Sequence, residues 1–354
     1  MKPQYWKDYS LKGKADADTT SLTQDQFEDE VEQAWFSAQI DRKVLKQLIK
    51  RDDAIALRDF GLWVALLIIT GGIAVALWGS WWAVLPFLVY GVLYSAADHR
   101  HHELAHGTPF KTRHYNEFFY HLCAFMTLRE GFYYRWSHTR HHTNTIIVGK
   151  DPEIGAPRPP NRLAIYSDFF FIHDGIKLIT MLVRHASGNL TEAGKHFVPE
   201  TEVPKVFLAA RIYLAILGSV VALCFITGSI LPLLLVGLPR FYGGFLSQLF
   251  NMSQHTCLAE DVHDHRLNTR TVIMNPVFSF LYANMNYHVE HHMFPMVPYY
   301  RLPELYELMK AQCPPAYPSI WAAWKEIVPG LKRQQQDPSW YIQRPLPTAT
   351  TSAI

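Results

Sequence analysis

Eight of the eighteen histidines in this 354-residue chain fall into three short clusters. "HELAH" sets His102 four residues before His106, "HTRHH" groups His138, His141 and His142, and "HVEHH" groups His288, His291 and His292. Spacings of three and four residues put side chains on one side of a helix, so each cluster offers its imidazoles in one direction. Taken alone, H-E-L-A-H is the pattern of a zinc protease, in which two histidines hold the ion and a glutamate, here Glu103, activates water. Taken together, eight imidazoles would crowd one zinc, which wants three protein ligands and an open position, and they suit two ions better. Zinc, copper, iron and nickel all accept imidazole, so the ligand set does not name the metal.

Metal-bound histidines usually donate their second ring N–H to a carboxylate or a carbonyl. Asp98, Glu103, Asp151, Asp261 and Glu290 are the candidates for that supporting part. His99 shares a helical face with His102 and His106 and is a candidate spare or supporting residue. His101, His114, His121, His173, His185, His196, His263 and His265 are read as solvated or hydrogen-bonded.

The elements that must position these groups are set out by hydropathy. From Phe60, "FGLWVALLIITGGIAVALW" runs about twenty residues without a charge, long enough to cross a hydrocarbon core. "GSWW" leads into "AVLPFLVYGVLYSAA", which ends at Asp98 and the first cluster. A second hairpin is expected from "VFLAARIYLAILGSVVALCFITG" and "SILPLLLVGLPRFYGGFLSQLF", with a kink at Pro239 and Arg240 facing protein or headgroups. Crossings are therefore placed at about 60–78, 83–97, 206–227 and 229–250. Between the hairpins, "LAIYSDFFFIHDGIKLITMLV" carries Asp168, His173, Asp174 and Lys177 and reads as an interfacial helix.

Two tight hairpins return the N-terminus, residues 98–204 and everything after Asn251 to one face, where nearly all the lysine and arginine lies. The positive-inside bias makes that face cytoplasmic. The organisation expected is cytoplasmic amphipathic helices over 1–57, a membrane domain over 58–310 and a cytoplasmic tail over 311–354 ending in the disordered "RPLPTATTSAI". The fold class is an all-α integral membrane protein, four transmembrane helices in two hairpins under a cytoplasmic helical cap that holds a histidine-rich di-metal site.

Composition agrees with that layout. Apolar residues make up 49% and aromatics 14%, yet mean hydropathy is −0.04 because apolar runs alternate with polar, histidine-rich ones. A net charge of +2 and the absence of an RNP-like or basic-helix motif give no reason to expect nucleic acid. Cys123, Cys224, Cys257 and Cys313 form no C-x-x-C pair, so neither a disulfide framework nor an iron–sulfur site is expected. "MKPQYWKDYSLKGKADADTT" has no apolar core after its basic residues, and a cleavable signal is not expected.

The three clusters, in this order and after the second and fourth crossings, resemble the boxes of the membrane fatty acid desaturase and hydroxylase superfamily, H-x(3,4)-H, H-x(2,3)-H-H and H/Q-x(2)-H-H. The resemblance covers about residues 60–310, and "HGTPFKTR", "SHTRHHTNT" and "HVEHHMFPMVPYYRLPEL" look most like its hydrocarbon-oxygenase, rhizopine-oxygenase-like branch and also like acyl-lipid desaturases. That branch includes the oxygenation of small polar methylated molecules. The resemblance implies two iron ions, O₂ as co-substrate, and hydroxylation, desaturation or demethylation at an unactivated C–H bond of a lipid, a hydrocarbon or a methylated small molecule. It adds an N-x3-H pair, matched in "NMSQH", with His255 on iron and Asn251 reaching metal through water. The implied ligand set is His102, His106, His138, His141, His142, His255, His288, His291 and His292.

Turnover of this kind needs electrons, and the chain has no Rossmann G-x-G-x-x-G, no cysteine-ligated cluster and no histidine after Pro314 for a haem. The implied partners are the lipid bilayer and a separate donor of ferredoxin, rubredoxin or cytochrome b5 type with its reductase. Two other readings of the same residues are an intramembrane zinc protease built on HELAH and a non-enzymatic metal-binding membrane protein.

Overall fold

The computed structural model describes residues 7–12 and 34–347. The run "SLTQDQFEDEVEQ", for which an amphipathic helix is expected, and the terminal "TATTSAI" lie outside the described residues. Among the described residues the chain is all-helical, and β pairing is confined to two isolated bridges, Thr271–Tyr287 and Val272–Tyr317. The first helices are α1 (Arg42–Leu48), α2 (Asp53–Ala76), α3 (Val84–Ser95), α4 (Ala97–Ala105), α5 (Arg113–Met126) and α6 (Gly131–Thr143). They are followed by α7 (Arg162–Ser167), α8 (Ile172–Ala186), α9 (Val203–Thr227), α10 (Leu231–Leu235), α11 (Pro239–Gly243) and α12 (Phe245–His255). The last are α13 (His265–Asn268), α14 (Pro276–Leu281), α15 (His288–Met293), α16 (Leu302–Met309) and α17 (Ile320–Gln336).

Local chemistry sets several of these boundaries. The Asp41 carboxylate accepts from the backbone N–H groups of Lys43 and Val44, and Asp52 does the same for Ala54 and Ile55, so α1 and α2 start on capped turns. At 24 and 25 residues, α2 and α9 are, among the described residues, the two helices long and apolar enough to cross a membrane. Both expose large apolar side chains, such as Ile68 (69%) and Phe225 (84%), that water would not favour. Helix α3 packs against α2, where the buried Trp63 indole donates to the Leu93 carbonyl at 2.8 Å. It runs almost without break into α4, which carries the first cluster.

The expected fourth crossing over 229–250 is not one helix. It is broken into α10, α11 and the start of α12. Pro232 and Pro239 remove backbone donors, and Gly237 turns the chain at φ +105°, a conformation a side chain would resist. Arg240 faces protein, with its guanidinium 2.9 Å from Asp98. Helices α3 and α11 meet at glycine: a Cβ on Gly243 would lie 2.0 Å from the Gly91 carbonyl carbon. Gly243→Ala is therefore expected to cost about 1–3 kcal/mol of stability through overpacking. Gly72→Ala, with nothing within 4 Å of the added methyl, should leave the melting temperature of the purified protein unchanged or slightly raised.

Helix α8 turns Ile172, Ile176, Ile179 and Val183 outward and buries Leu178 and Leu182 against Ala210 and Tyr213 of α9. That is the two-faced pattern of a helix lying along an interface. The segment read from sequence as a C-terminal tail is folded onto the body. Ile327 and Leu331 of α17 join the main core, and the Trp324 indole donates to the Leu249 carbonyl at 3.0 Å.

Candidate metal centre

The clusters arrive from four directions: His102 and His106 on α4, His138, His141 and His142 at the end of α6, His255 as the last residue of α12, and His288, His291 and His292 on α15. Glu130 starts α6 by accepting from the N–H groups of Phe132 and Tyr133, which fixes the helix that carries the second cluster. His102, His106, His138, His142 and His291 form one group, and His141, His255 and His292 a second, each with ring nitrogens within 4.8 Å of one another. His288 joins the second group through its Nε2, 3.2 Å from that of His292. All nine expected histidines are thus brought to one place. Asn251 lines the same cavity as His102, His141 and His255.

The rings meet through Nε2. His102 and His291 are 2.8 Å apart, His106 and His138 3.0 Å, and His138 and His142 3.2 Å. Around one ion with bonds of about 2.1 Å, neighbouring ligand atoms sit on the order of 3 Å apart. The other ring nitrogen explains why these are not ordinary hydrogen bonds. His141 Nδ1 donates to Asp151 at 2.8 Å, His138 Nδ1 to Glu153 at 3.1 Å, and His255 Nδ1 to the Asn268 carbonyl at 2.9 Å. Thr145 spends its hydroxyl proton on the His141 carbonyl, so it accepts from His292 Nδ1 at 3.1 Å. With the proton on Nδ1, the Nε2 of each of these four is a bare lone pair turned inward.

Burial also disfavours the charged form of eight of the nine rings. It holds His102, His138, His142, His255, His288, His291 and His292 well below the ordinary imidazole value and takes His106 to about 3. His141 is also buried, but the Asp151 carboxylate outweighs that and raises it. Lone pairs packed this closely repel unless a cation lies between them, so the residues fit a pair of metal ions.

The supporting carboxylates differ from expectation. Asp151 does hold a clustered histidine. Asp98 instead pairs with Arg240 and Arg129 and accepts from the Asn251 amide at 2.8 Å. Glu103 accepts from the Tyr299 N–H, Glu290 from the Thr271 hydroxyl, and Asp261 from Lys7 and the Val148 N–H. Among the described residues, none of these four carboxylates accepts from a ring nitrogen of the cage; each serves backbone or neighbouring side chains instead. Glu153, Thr145 and the Asn268 carbonyl were missed, although Glu153 stands two residues after Asp151 in "KDPE" and could have been flagged as its pair. Asp151→Asn and Glu153→Gln should each lower metal affinity about 10–100-fold, measured by competition with a chelator.

Among the other histidines, His101 is neither solvated nor hydrogen-bonded. It is fully buried between the rings of Tyr120 and Tyr134, at 4.8 and 4.2 Å, with no partner on either nitrogen. His99 is buried against Tyr282 and outside both groups, and His265 stacks on Trp35 at 4.3 Å. Burial follows from their helices packing on all sides, which spacing alone does not reveal.

The fatty acid desaturase family model matches residues 79–324, which takes in all nine of the clustered histidines. The chain belongs to the fatty acid desaturase family. It is also similar to an acyl-lipid (9+3)-(E)-desaturase of Dimorphotheca sinuata, 24% identical over 285 residues, covering 71% of this chain and 73% of that protein. Membership of this family, with the histidine cage and two apolar helices, makes the chain an oxidoreductase-type membrane protein with a histidine-rich metal site.

Proposed function

We propose that the protein is a membrane-bound non-haem di-iron oxidoreductase that uses O₂ and electrons from a separate donor to hydroxylate or desaturate an unactivated C–H bond. The observation that carries this reading is the cage itself: five histidines face four across one buried space, and the four whose Nδ1 donates to the protein turn a bare Nε2 inward. His102, His106, His138, His142 and His291 would hold one iron. His141, His255, His288 and His292 would hold the other, with Asn251 beside it. When bound, the two irons would supply the reduction of O₂ that makes attack on an unactivated C–H bond possible.

The rest of the work is the chain's own. Asp151, Glu153, Thr145 and Asn268 fix ring orientation and keep the proton on Nδ1. Burial of the cage limits water around the reacting carbon. The same reading places four crossings in two hairpins, with α2 and α9 as their first members, and sets the cage, both termini and the donor's docking face on the cytoplasmic side.

The protease alternative needs Glu103 beside His102 and His106 as a base. Its carboxylate instead meets the Tyr299 N–H and lines a separate pocket with Arg100 and Tyr299, and burial raises it to about 7. Glu103→Gln should keep both irons and much of the activity, whereas complete loss of chemistry with metal intact would restore the protease-style role. The proposal is tested by product analysis with iron-loaded protein, reductant and ¹⁸O₂. Labelled alcohol means hydroxylation and an unlabelled alkene means desaturation; peptide cleavage without O₂ would sink the reading.

A further inference from the structure

Among the described residues, two aromatic rings from outside the nine touch the cage. Tyr134 lies parallel to His138 with 5.2 Å between centroids, and His265 meets His292 at 5.2 Å. They lead to different places. Behind Tyr134 come His101 at 4.2 Å and Tyr120 at 4.8 Å, both fully buried, before His121 brings the series to the surface. Behind His265 comes Trp35 at once, stacked at 4.3 Å with its ring only 11° from parallel, and Trp35 is half-buried. On that side the cage lies two ring contacts from the surface.

Both rings are held in place by the chain around them. His265 opens the short helix α13, which Asp264 caps by accepting from the Arg266 N–H. The other end of α13 supplies the Asn268 carbonyl that receives the His255 Nδ1 proton, so one helix rests on two of the clustered histidines. His265 is 4% exposed and its Nδ1 has no hydrogen-bond partner, which leaves ring packing to set its orientation. Trp35 is fixed from the far side. Phe36 donates its N–H to the His263 carbonyl at 3.0 Å, and its ring lies under the Arg266 guanidinium. Gln39 and Gln312 then exchange two hydrogen bonds, of 2.8 and 3.0 Å, which ties the segment after Trp35 to the body.

We propose that Trp35 and His265 form the route by which electrons from the external donor reach the metal centre. The proposal rests on the di-iron reading for the need for electrons, and adds to it the place where they enter. Each passage moves one electron: a carrier protein of iron–sulfur or haem type loses it, and the metal held by the cage gains it. The two rings carry it by tunnelling and are neither oxidised nor reduced, so no proton leaves them. Tunnelling falls off exponentially with distance, and more steeply across gaps than through packed atoms. The short stack through Trp35 therefore outruns the longer series through Tyr134. Trp35 and His265 act through His292 and are positioning residues for the electron, and the donor's redox group docks over Trp35.

The route is tested in full-length protein held in lipid nanodiscs, with the cage loaded with Cu(II), which imidazole also accepts, so that neither iron nor turnover is needed. A ruthenium tris-bipyridine photoreductant is tethered to Ser37→Cys, an exposed position two residues from Trp35, and loss of Cu(II) after a flash is followed by absorbance and EPR. Trp35→Leu should lose the fast phase of reduction while its copper content and Cu(II) EPR spectrum stay those of the parent. His265→Leu should lose it as well, and Trp35→Phe, which keeps a ring in the stack, should retain it. Equal rates in the parent, Trp35→Leu and Trp35→Phe would overturn the proposal, because a stack that only stabilises the fold changes melting and leaves the rate alone. Iron-loaded protein that forms no O₂-dependent product, while the copper-loaded form still takes electrons through Trp35, would count against the di-iron reading and leave the route standing.

Discussion

His291→Ala is expected to empty the five-histidine group of its iron and to lower turnover at least about 100-fold, beyond the 10–100-fold that loss of a supporting hydrogen bond costs. His291 sits 2.8 Å from His102 through Nε2 and reaches the rings of His106 and His142 at 4.9 Å, so it closes the cage between α4 and α6. Its removal opens one side of that group while His141, His255, His288 and His292 remain, and the protein should therefore retain about one iron of two. His114→Ala, at an exposed position, is the control and should retain both irons and full activity. Retention of two irons by the His291 variant would break the proposed division of ligands.

The second large effect is on stability. Asp98 sits at the start of the first-cluster helix and joins three elements. It is 2.9 Å from Arg240 of α11, 3.5 Å from Arg129, and accepts from Asn251 of α12 at 2.8 Å. Arg240 is 5% exposed and keeps no other carboxylate within ion-pair distance among the described residues. Asp98→Ala leaves that guanidinium buried and uncompensated, which costs about 3–5 kcal/mol. Thermal unfolding of the detergent-solubilised protein should fall well below that of the parent. Asp98→Ala combined with Arg240→Met, which removes the stranded charge, should recover much of the loss. Equal melting of the single variant and the parent would show that the pair contributes no stability.

The centre was legible in the sequence where helical periodicity carries the information. His102 with His106, His138 with His141 and His142, and His288 with His291 and His292 all depend on spacing within one helix, and the helix then delivers them. His255 was reached only through the resemblance, because a lone histidine at the end of a helix has no spacing partner. What holds the rings was less legible. Asp151 and Glu153 lie in a loop, Thr145 just past α6, and the Asn268 carbonyl is backbone, so tertiary folding alone brings them to the Nδ1 atoms.

The fold shows the same division. Long apolar runs at α2 and α9 could be read from hydropathy. The breakage of the next apolar run could be read only in part from Pro239, since the turn at Gly237 and the Gly91–Gly243 contact depend on how α3 and α11 cross. The packing of α17 against α12 was not visible, because its amphipathic face names no partner.

In the proposed centre, nine histidines hold two irons in unlike surroundings, five on one and four with a neighbouring asparagine on the other. Mössbauer spectroscopy of ⁵⁷Fe-loaded protein, with metal analysis of the same sample, tests it most directly. Two irons per chain in two distinguishable nitrogen-rich sites are expected, with the five-histidine component lost in His291→Ala. A single metal per chain, or full activity with zinc in place of iron, would contradict it.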